Sequence, residues 1–505
     1  MPKKTGFDNE KYLKEQSAAI LERISKLKGK LYLEFGGKLM YDYHAARVLP
    51  GYDPNIKIKL LKQLKDKIDI ILCIYAGDIE KGRIRGDFGI TYDVDALKLI
   101  DDLRENGLGI LAVVITRFDN QPQAIRFKNR LENRNIKVYL HSATKGYPTD
   151  VDTIVSEEGY GKNPYIETKN PIAIVTAPGP GSGKLATCLS QLYHDYRKGI
   201  KSGYAKFETF PIWNIPLKHP VNIAYEAATA DIADFNLIDP FHLNTYNLST
   251  VNYNRDVEIF PVVKRILEKI TGNELSYQSP TDMGVNRAGF AIVDDHAVAE
   301  AAKQEIIRRY FRYKYEYILG IEKKETVEKI SLLTEGLNLK PEDRCVVEPA
   351  RKVALEKRNN SQAVPHVSCG AAIELNNGQI VTGKNSTIMS AASSLILNAI
   401  KQSAEIPDKI HLLSPHIINH ITILKKDILM LKQEMLDLEE TLIALSMSAA
   451  TNPSAEAAME KLKELSGCEA HLTHIPTPGD EAGLRMLSVN LTTDGNFPSQ
   501  DLFML

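Results

Sequence analysis

The sequence predicts an α/β protein: two parallel-sheet α/β domains followed by a C-terminal α+β region that carries a long heptad helix. Three observations lead there. Short continuous apolar runs alternate with amphipathic stretches, the pattern of strands covered on both faces of a parallel sheet. Near the middle, the apolar run IAIVTA meets a glycine-rich loop and then a helical period, in PIAIVTAPGPGSGKLATCLSQLYHDYRKG. Toward the end, apolar residues recur at spacings of four and three from Ile417 to Leu445.

The chain has 505 residues, too many for one hydrophobic core, so several domains are expected. Lys and Arg total 63 against 64 Asp and Glu, a net charge of −1. No global field therefore draws the protein to nucleic acid or an anionic membrane. The greasiest runs, IDIILCIYA and LGILAVVI, suit buried strands and fall far short of the ~20 residues that span a bilayer. Five cysteines are scattered without a C-x-x-C pair. That argues against a disulfide framework or zinc cluster and for a reducing cytoplasm. MPKKTGFDNEKYLKEQ has no apolar core after its lysines and does not read as a secretory signal.

Each element follows from its local pattern. Asn9 to Lys28 is an amphipathic helix leading into the strand KLYLEF; Pro54 opens another helix. DIILCIYA and GILAVVIT read as buried strands around the helix DVDALKLIDDLRENG. QPQAIRFKNRLENRN is helical, and IKVYLH ends the first domain, residues 1–165. The polar, turn-rich SEEGYGKNPYIETKNP (Ser156 to Pro171) reads as a linker. The second domain, 166–330, runs from IAIVTA through YAKFE, the helices VNIAYEAATADIADF and VEIFPVVKRILEKITG, and a charged helix from His296. In the third region, 331–505, AAIELNNGQIVTG is a hairpin around Asn377-Gly378. STIMSAASSLILNAIKQSA follows as a buried helix rich in small residues.

The glycine loop carries the functional argument. Glycines let consecutive amides converge on an anion, and the helix start adds partial positive charge. Gly179, Gly181, Ser182 and Gly183 would hold phosphates, with Lys184 adding a full charge. The central domain is therefore expected to be P-loop-like and to bind ATP or GTP for a phosphotransferase or other nucleotide-dependent activity between the first two domains; an oligomeric scaffold or anion sensor that catalyses nothing is an alternative from a different class. The match to G-x-x-x-x-G-K-[ST] departs at two places: Pro178 stands at the first glycine position, and Leu185 where a hydroxyl would ligate Mg²⁺. Thr187 is the nearest substitute, about 300° round the helix from Lys184. The same letters allow a rival. GSGKLA satisfies the dinucleotide fingerprint of an NAD(P)-dependent oxidoreductase, with Glu208 as the ribose contact, later than the usual ~20 residues.

The stretches TAPGPGSGKLATCLSQLYHDYRKGIKSGYAKFETFPIWNIPLKHPVN, YLEFGGKLMYDYHAARVLPGYDP and SPTDMGVNRAGFAIVDD together resemble a bacterial family of proteins of this length and of unknown function. The likeness covers essentially the whole chain. It implies a cytoplasmic bacterial protein with a P-loop-like centre.

Further constellations each have a bland alternative. Asp239, at the tip of FNLIDP, could organise Mg²⁺ or start a turn before Pro240. Asp294-Asp295 could do the same, with a helix cap at Asp295 as the alternative. Asp282 and Arg287, in SPTDMGVNRAG, are the candidate catalytic pair: a base and a cation for a transferring phosphoryl group, set against an ordinary loop. His219 and Glu226 share a helical face but lack further metal ligands. Glu34 to Lys38 and Lys81, Arg83 and Arg85 follow strand ends where an anionic ligand could sit. Cys345, His366 and Cys369 read mainly as structural. The heptad Ile417, Ile421, Leu424, Ile428, Leu431, Met435, Leu438, Leu442 and Leu445 predicts a coiled-coil helix over 415–447. Asp427 and Lys432 would flank it. It would join subunits into a homo-oligomer or fold back within the chain.

Overall fold

The computed structural model describes residues 5–27, 29–85, 89–273, 277–360, 367–431 and 434–499. The chain separates into two compact units, one running to Ala302 and the other beginning at Lys303. The boundaries drawn at 165 and 330 from the sequence are not those of the units. The helix Asp295–Ile318 runs across the division.

The first unit is built on six parallel strands: β1 (Lys30–Phe35), β2 (Ile68–Tyr75), β3 (Ala112–Thr116), β4 (Val138–Leu140), β5 (Ile172–Thr176) and β6 (Ser202–Phe207). Their order is β4-β3-β2-β5-β1-β6. The α/β expectation is met, but strands assigned to two domains share one sheet. β1 lies between β5 and β6, with Leu31 opposite Ile172 and Gly203. Both faces are covered, as the continuous apolar runs require. Tyr32, Ile71, Cys73, Val114, Ala173, Val175 and Tyr204 point into a core closed by the helices Lys184–Arg197 and Asn254–Thr271. The alternate residues Leu31, Leu33, Ile70, Leu72, Ile115, Ile174 and Ala205 are equally buried.

The stretch read as a linker is part of this packing. Tyr160, Asn163 and Ile166 are buried. The Ser190 hydroxyl donates to the Tyr160 carbonyl, and the Ile166 amide to Gln191. Tyr32 and Tyr165 both donate to the buried Asp195 carboxylate. Polar side chains on a helix face hold a turn-rich segment that composition alone marks as loose.

The second unit has a mixed sheet of β7 (Gly370–Glu374), β8 (Ile380–Lys384), β9 (Glu469–Leu472) and β10 (Asn490–Thr493), in the order β8-β7-β9-β10. The expected hairpin joins β7 and β8, with Gly378 at φ 84°. Ala391–Ser403 is the small-residue helix, buried along most of its length. The helix over 415–447 is not continuous. Pro415–Ile423 passes into a π turn at Leu424–Ile428, Met430 takes φ 55°, and a separate helix spans Leu438–Ala449. The physical cause is competing pairing: the Leu436 amide donates to Ile388 and its carbonyl accepts from Ser390. Those bonds tie Leu436 to the segment around Ile388 and Ser390 in place of helical partners. Lys432 lies outside the described residues, as does His366. Among the described residues, no helix is long and apolar enough to cross a membrane.

Candidate functional site

In this sheet the chain moves from β1 toward β2 on one side and from β5 toward β6 on the other. The reversal places a crevice at the carboxyl ends of β5 and β1, the position where open α/β sheets hold ligands. The glycine loop stands there. β5 ends at Thr176, the loop covers 177–183, and the helix begins at Lys184. Gly181 and Gly183 have φ of 69° and 84°, a left-handed region that glycine enters without strain.

The loop's carbonyls are tied down. Gly179 accepts from Ser182 Oγ at 2.7 Å, and Ser182 from Thr116 Oγ1 at 2.8 Å. Gly181 accepts from Arg117, whose guanidinium stacks on Tyr75 at 3.4 Å. Gly183 accepts from the Thr187 amide and hydroxyl, each at 3.0 Å. The amides are not tied: among the described residues, none from Gly181 to Ala186 donates to a protein acceptor. Pro180 and Gly181 are exposed. The arrangement is a row of open donors at the start of a 14-residue helix.

Lys184 reaches along the sheet edge to the buried Glu34, 4.0 Å from Nζ to Oε1. Glu34, the last residue but one of β1, also accepts from the Tyr204 hydroxyl at 2.8 Å. Two residues on, Gly36 lies against Glu208: a Cβ there would stand 2.5 Å from Glu208 Cγ. Glu208 follows β6 and opens a cleft of about 240 Å³ lined by Arg23, Lys206, Trp213, His242, Asp256, Asp282, Asn286 and Arg287 among others. Lys206 lies 2.5 Å from Asp256 and 3.1 Å from Glu208. Tyr253 donates to Glu208 at 3.0 Å, and the Glu208 amide donates to Asn286 at 2.6 Å. Burial pushes the Glu208 carboxyl up to about 7, with Lys206 opposing and Asp256 and Glu34 adding to the rise. The two carboxylates keep the buried Lys206 protonated, raising it despite desolvation.

The predicted residues fall into three groups. Gly179, Gly181, Ser182, Gly183 and Lys184 form one loop, and Asp282, Arg287 and Glu208 line one cleft. Thr187 and Asp239 belong elsewhere. The Thr187 hydroxyl is buried, bonded back to Gly183 and in contact with Cys73 at 3.4 Å, so it does not replace the hydroxyl missing at Leu185. Asp239 is buried with both oxygens engaged, one by the amides of Phe241 and His242 and the other by Thr281. Its role is the helix cap. Asp294, rather than Asp295, caps the next helix, accepting from the Ala297 amide at 3.0 Å. His219 caps Pro220–Ala228 and lies 3.2 Å from Asp295. Among the described residues, no group of three or more His, Cys, Asp or Glu could hold a metal ion.

Sequence reasoning missed Arg23, Thr116, Arg117 and Lys206. Lys206 left a signal: a lysine inside a strand covered on both faces needs a charged partner. Arg23 left none, being one cation on a polar helix face.

Residues 5–338 match the family described as domain of unknown function DUF1846, N-terminal, and residues 342–503 its C-terminal counterpart. A UPF0371 protein of Clostridium tetani (strain Massachusetts / E88) is 59% identical over 502 residues, covering 99% of both chains. One from Clostridium botulinum (strain ATCC 19397 / Type A) is 60% identical over 501 residues, again 99% of both.

Proposed function

We propose that this chain, which belongs to the DUF1846 family, binds a nucleotide, ATP or GTP, by its phosphates and uses it in a transfer or hydrolysis reaction. The observation that carries this is the asymmetry of the 179–186 segment: carbonyls held by protein donors, amides left open, Lys184 at the helix start. Such a segment favours a group with several anionic oxygens. Leu185 offers no hydroxyl for Mg²⁺, and the Ser182 hydroxyl is buried and donates to Gly179, so any metal would be held by the phosphates and water.

Strand order weighs against NAD(P). In the dinucleotide fold the acidic residue follows the strand next to the glycine loop, whereas here β1 separates β5 from β6. Glu208 is also engaged by Lys206 and Tyr253. Self-association belongs to the same proposal, because Leu424, Ile428, Leu429 and Met430 present apolar side chains to solvent at 44%, 67%, 55% and 79% exposure. The five cysteines are free thiols, which suits a reducing cytoplasm.

The test is titration of the full chain with ATP, GTP and NAD, with and without Mg²⁺. Saturable triphosphate binding, weakened about tenfold or more by Lys184→Ala, is expected. Binding of NAD alone, insensitive to Lys184→Ala and lost in Glu208→Ala, would overturn the reading.

A further inference from the structure

The geometry points to a second subsite, in the cleft at the end of β6, that takes the carboxylate or phosphate of a small molecule on Arg23 and Arg287 and presents Glu208 to that molecule's hydroxyl. Its binding of an oxyanion stands on its own contacts; its place as the acceptor pocket of a nucleotide-dependent reaction rests on the nucleotide reading.

The cleft's cations are unequal. Lys206 is neutralised by Asp256 and Glu208. Arg23 donates to the Tyr277 hydroxyl at 3.1 Å and to the carbonyls of Asp282 and Gly284 at 2.8 and 3.1 Å. These fix the guanidinium in the wall without cancelling its charge. The Arg287 guanidinium donates no hydrogen bond among the described residues and lies 5.3 Å from the Phe290 ring. The Arg287 backbone is fixed, since its amide donates to the buried Gln16 at 2.9 Å. Two positive groups, neither hydrogen-bonded to a carboxylate, thus line a partly enclosed space. A planar guanidinium with open donors matches an oxyanion in both charge and shape.

Glu208 stands in the same cleft, held in position by Tyr253, Lys206 and the close approach of Gly36. Under the nucleotide reading, a hydroxyl entering beside it passes its proton to the carboxylate as its oxygen bonds to the transferred phosphorus, while the bond from that phosphorus to the nucleotide's bridging oxygen breaks and the shorter nucleotide leaves with the electron pair. The charged and titratable groups around that carboxylate are Lys206, Asp256, Tyr253, Glu34 and Tyr225. The cleft lies two strands from the glycine loop, about 10 Å along the edge at the usual strand spacing. That distance is within the span of a nucleotide's phosphates and a small acceptor.

Sulfate and succinate, one tetrahedral and one carboxylate, are titrated by calorimetry into Lys184→Ala protein, in which the loop has lost its ammonium. The same titration is run on the Lys184→Ala/Arg287→Gln double variant. Saturable uptake of at least one anion by the first, weakened about tenfold or more in the second, is expected. Arg23→Lys, which keeps the charge but not the fork, should weaken the same binding while the melting curve confirms folding. Equal affinity in the single and double variants, or no uptake of either anion by Lys184→Ala, overturns the subsite. Failure of wild-type protein to bind ATP or GTP while the cleft still takes its anion would remove the nucleotide reading and leave the subsite standing.

Discussion

Glu208→Gln tests the electrostatics of the cleft with almost no change of shape. In the folded chain the Glu208 carboxyl stands at about 7 against an ordinary 4.5. Burial is the largest cause; the ammonium of Lys206 opposes it, and the carboxylates of Asp256 and Glu34 reinforce it. A carboxyl raised on folding holds its proton more tightly in the folded state. Its contribution to stability is complete below about pH 4.5 and is lost as pH rises through about 7. A rise of ~2.5 units corresponds to roughly 3 kcal/mol. Glutamine cannot titrate, so the stability of wild type minus that of the variant should fall by this order between pH 4.5 and 8. Urea unfolding followed by tryptophan fluorescence isolates the right part of the molecule. The chain has one tryptophan, and Trp213 lines the cleft, its indole donating to Asn286 at 2.8 Å. Titrations confined to the other unit, such as Asp480, which burial raises to about 6, cancel in the difference. Stability curves that stay parallel from pH 4.5 to 8 would refute the account of a strained carboxylate.

The loop and the C-terminal unit give further tests. Gly183→Ala forces a side chain into φ 84° and 2.9 Å from Thr116 Cβ, whereas Gly181→Ala has φ 69° and open space. The first should destabilise the fluorescence-detected transition by about 2–3 kcal/mol and the second by about 1 kcal/mol; equal losses would mean the Thr116 contact does not matter. Thr116→Val removes the donor that holds the Ser182 carbonyl, and should weaken triphosphate binding several-fold with little change in melting temperature. Met430→Glu combined with Ile428→Glu places charge on the exposed apolar stretch and should lower the sedimentation mass. An unchanged mass would mean that this stretch does not join subunits.

Much of the fold was legible because its signals are local. IAIVTA followed by glycines and a helical period specifies strand, loop and helix with no knowledge of neighbours, and Asn377-Gly378 specifies a turn by its own backbone preference. The arrangement of the sheet was not legible. Nothing in KLYLEF says that it pairs with IAIVT and SGYAKF, far along the chain, rather than with its sequence neighbours. Dividing the first two regions into domains therefore split a candidate site whose parts, Glu34, Lys184 and Glu208, gather near the carboxyl ends of adjacent strands. The heptad shows the converse failure. Its spacing fits a helix throughout, but periodicity carries no information about the pairing of Leu436 with Ile388 and Ser390 that interrupts it. Buried Lys425, bonded to Glu440 and the Met435 carbonyl, then holds the two halves in place.

The sheet edge joins these points into one electrostatic argument about when the cleft accepts an anion. Arg23, Lys206 and Arg287 share the cleft with Glu208, Asp256 and Asp282, and the carboxylates of Glu34 and Glu22 act on these groups from its margins. Protonating Glu208 makes the cleft one charge more positive. Sulfate affinity should therefore rise as pH falls through about 7, since sulfate does not titrate in this range. His242 also lines the cleft, bonded to Ser279 at 2.8 Å and 3.7 Å from Asp282. Glu208→Gln tests the role of the carboxyl. If the carboxyl sets the response, the variant binds sulfate at pH 8 as tightly as wild type does at pH 6, and its affinity is flat between them. A slope that survives the substitution removes Glu208 from the proton chemistry of the cleft.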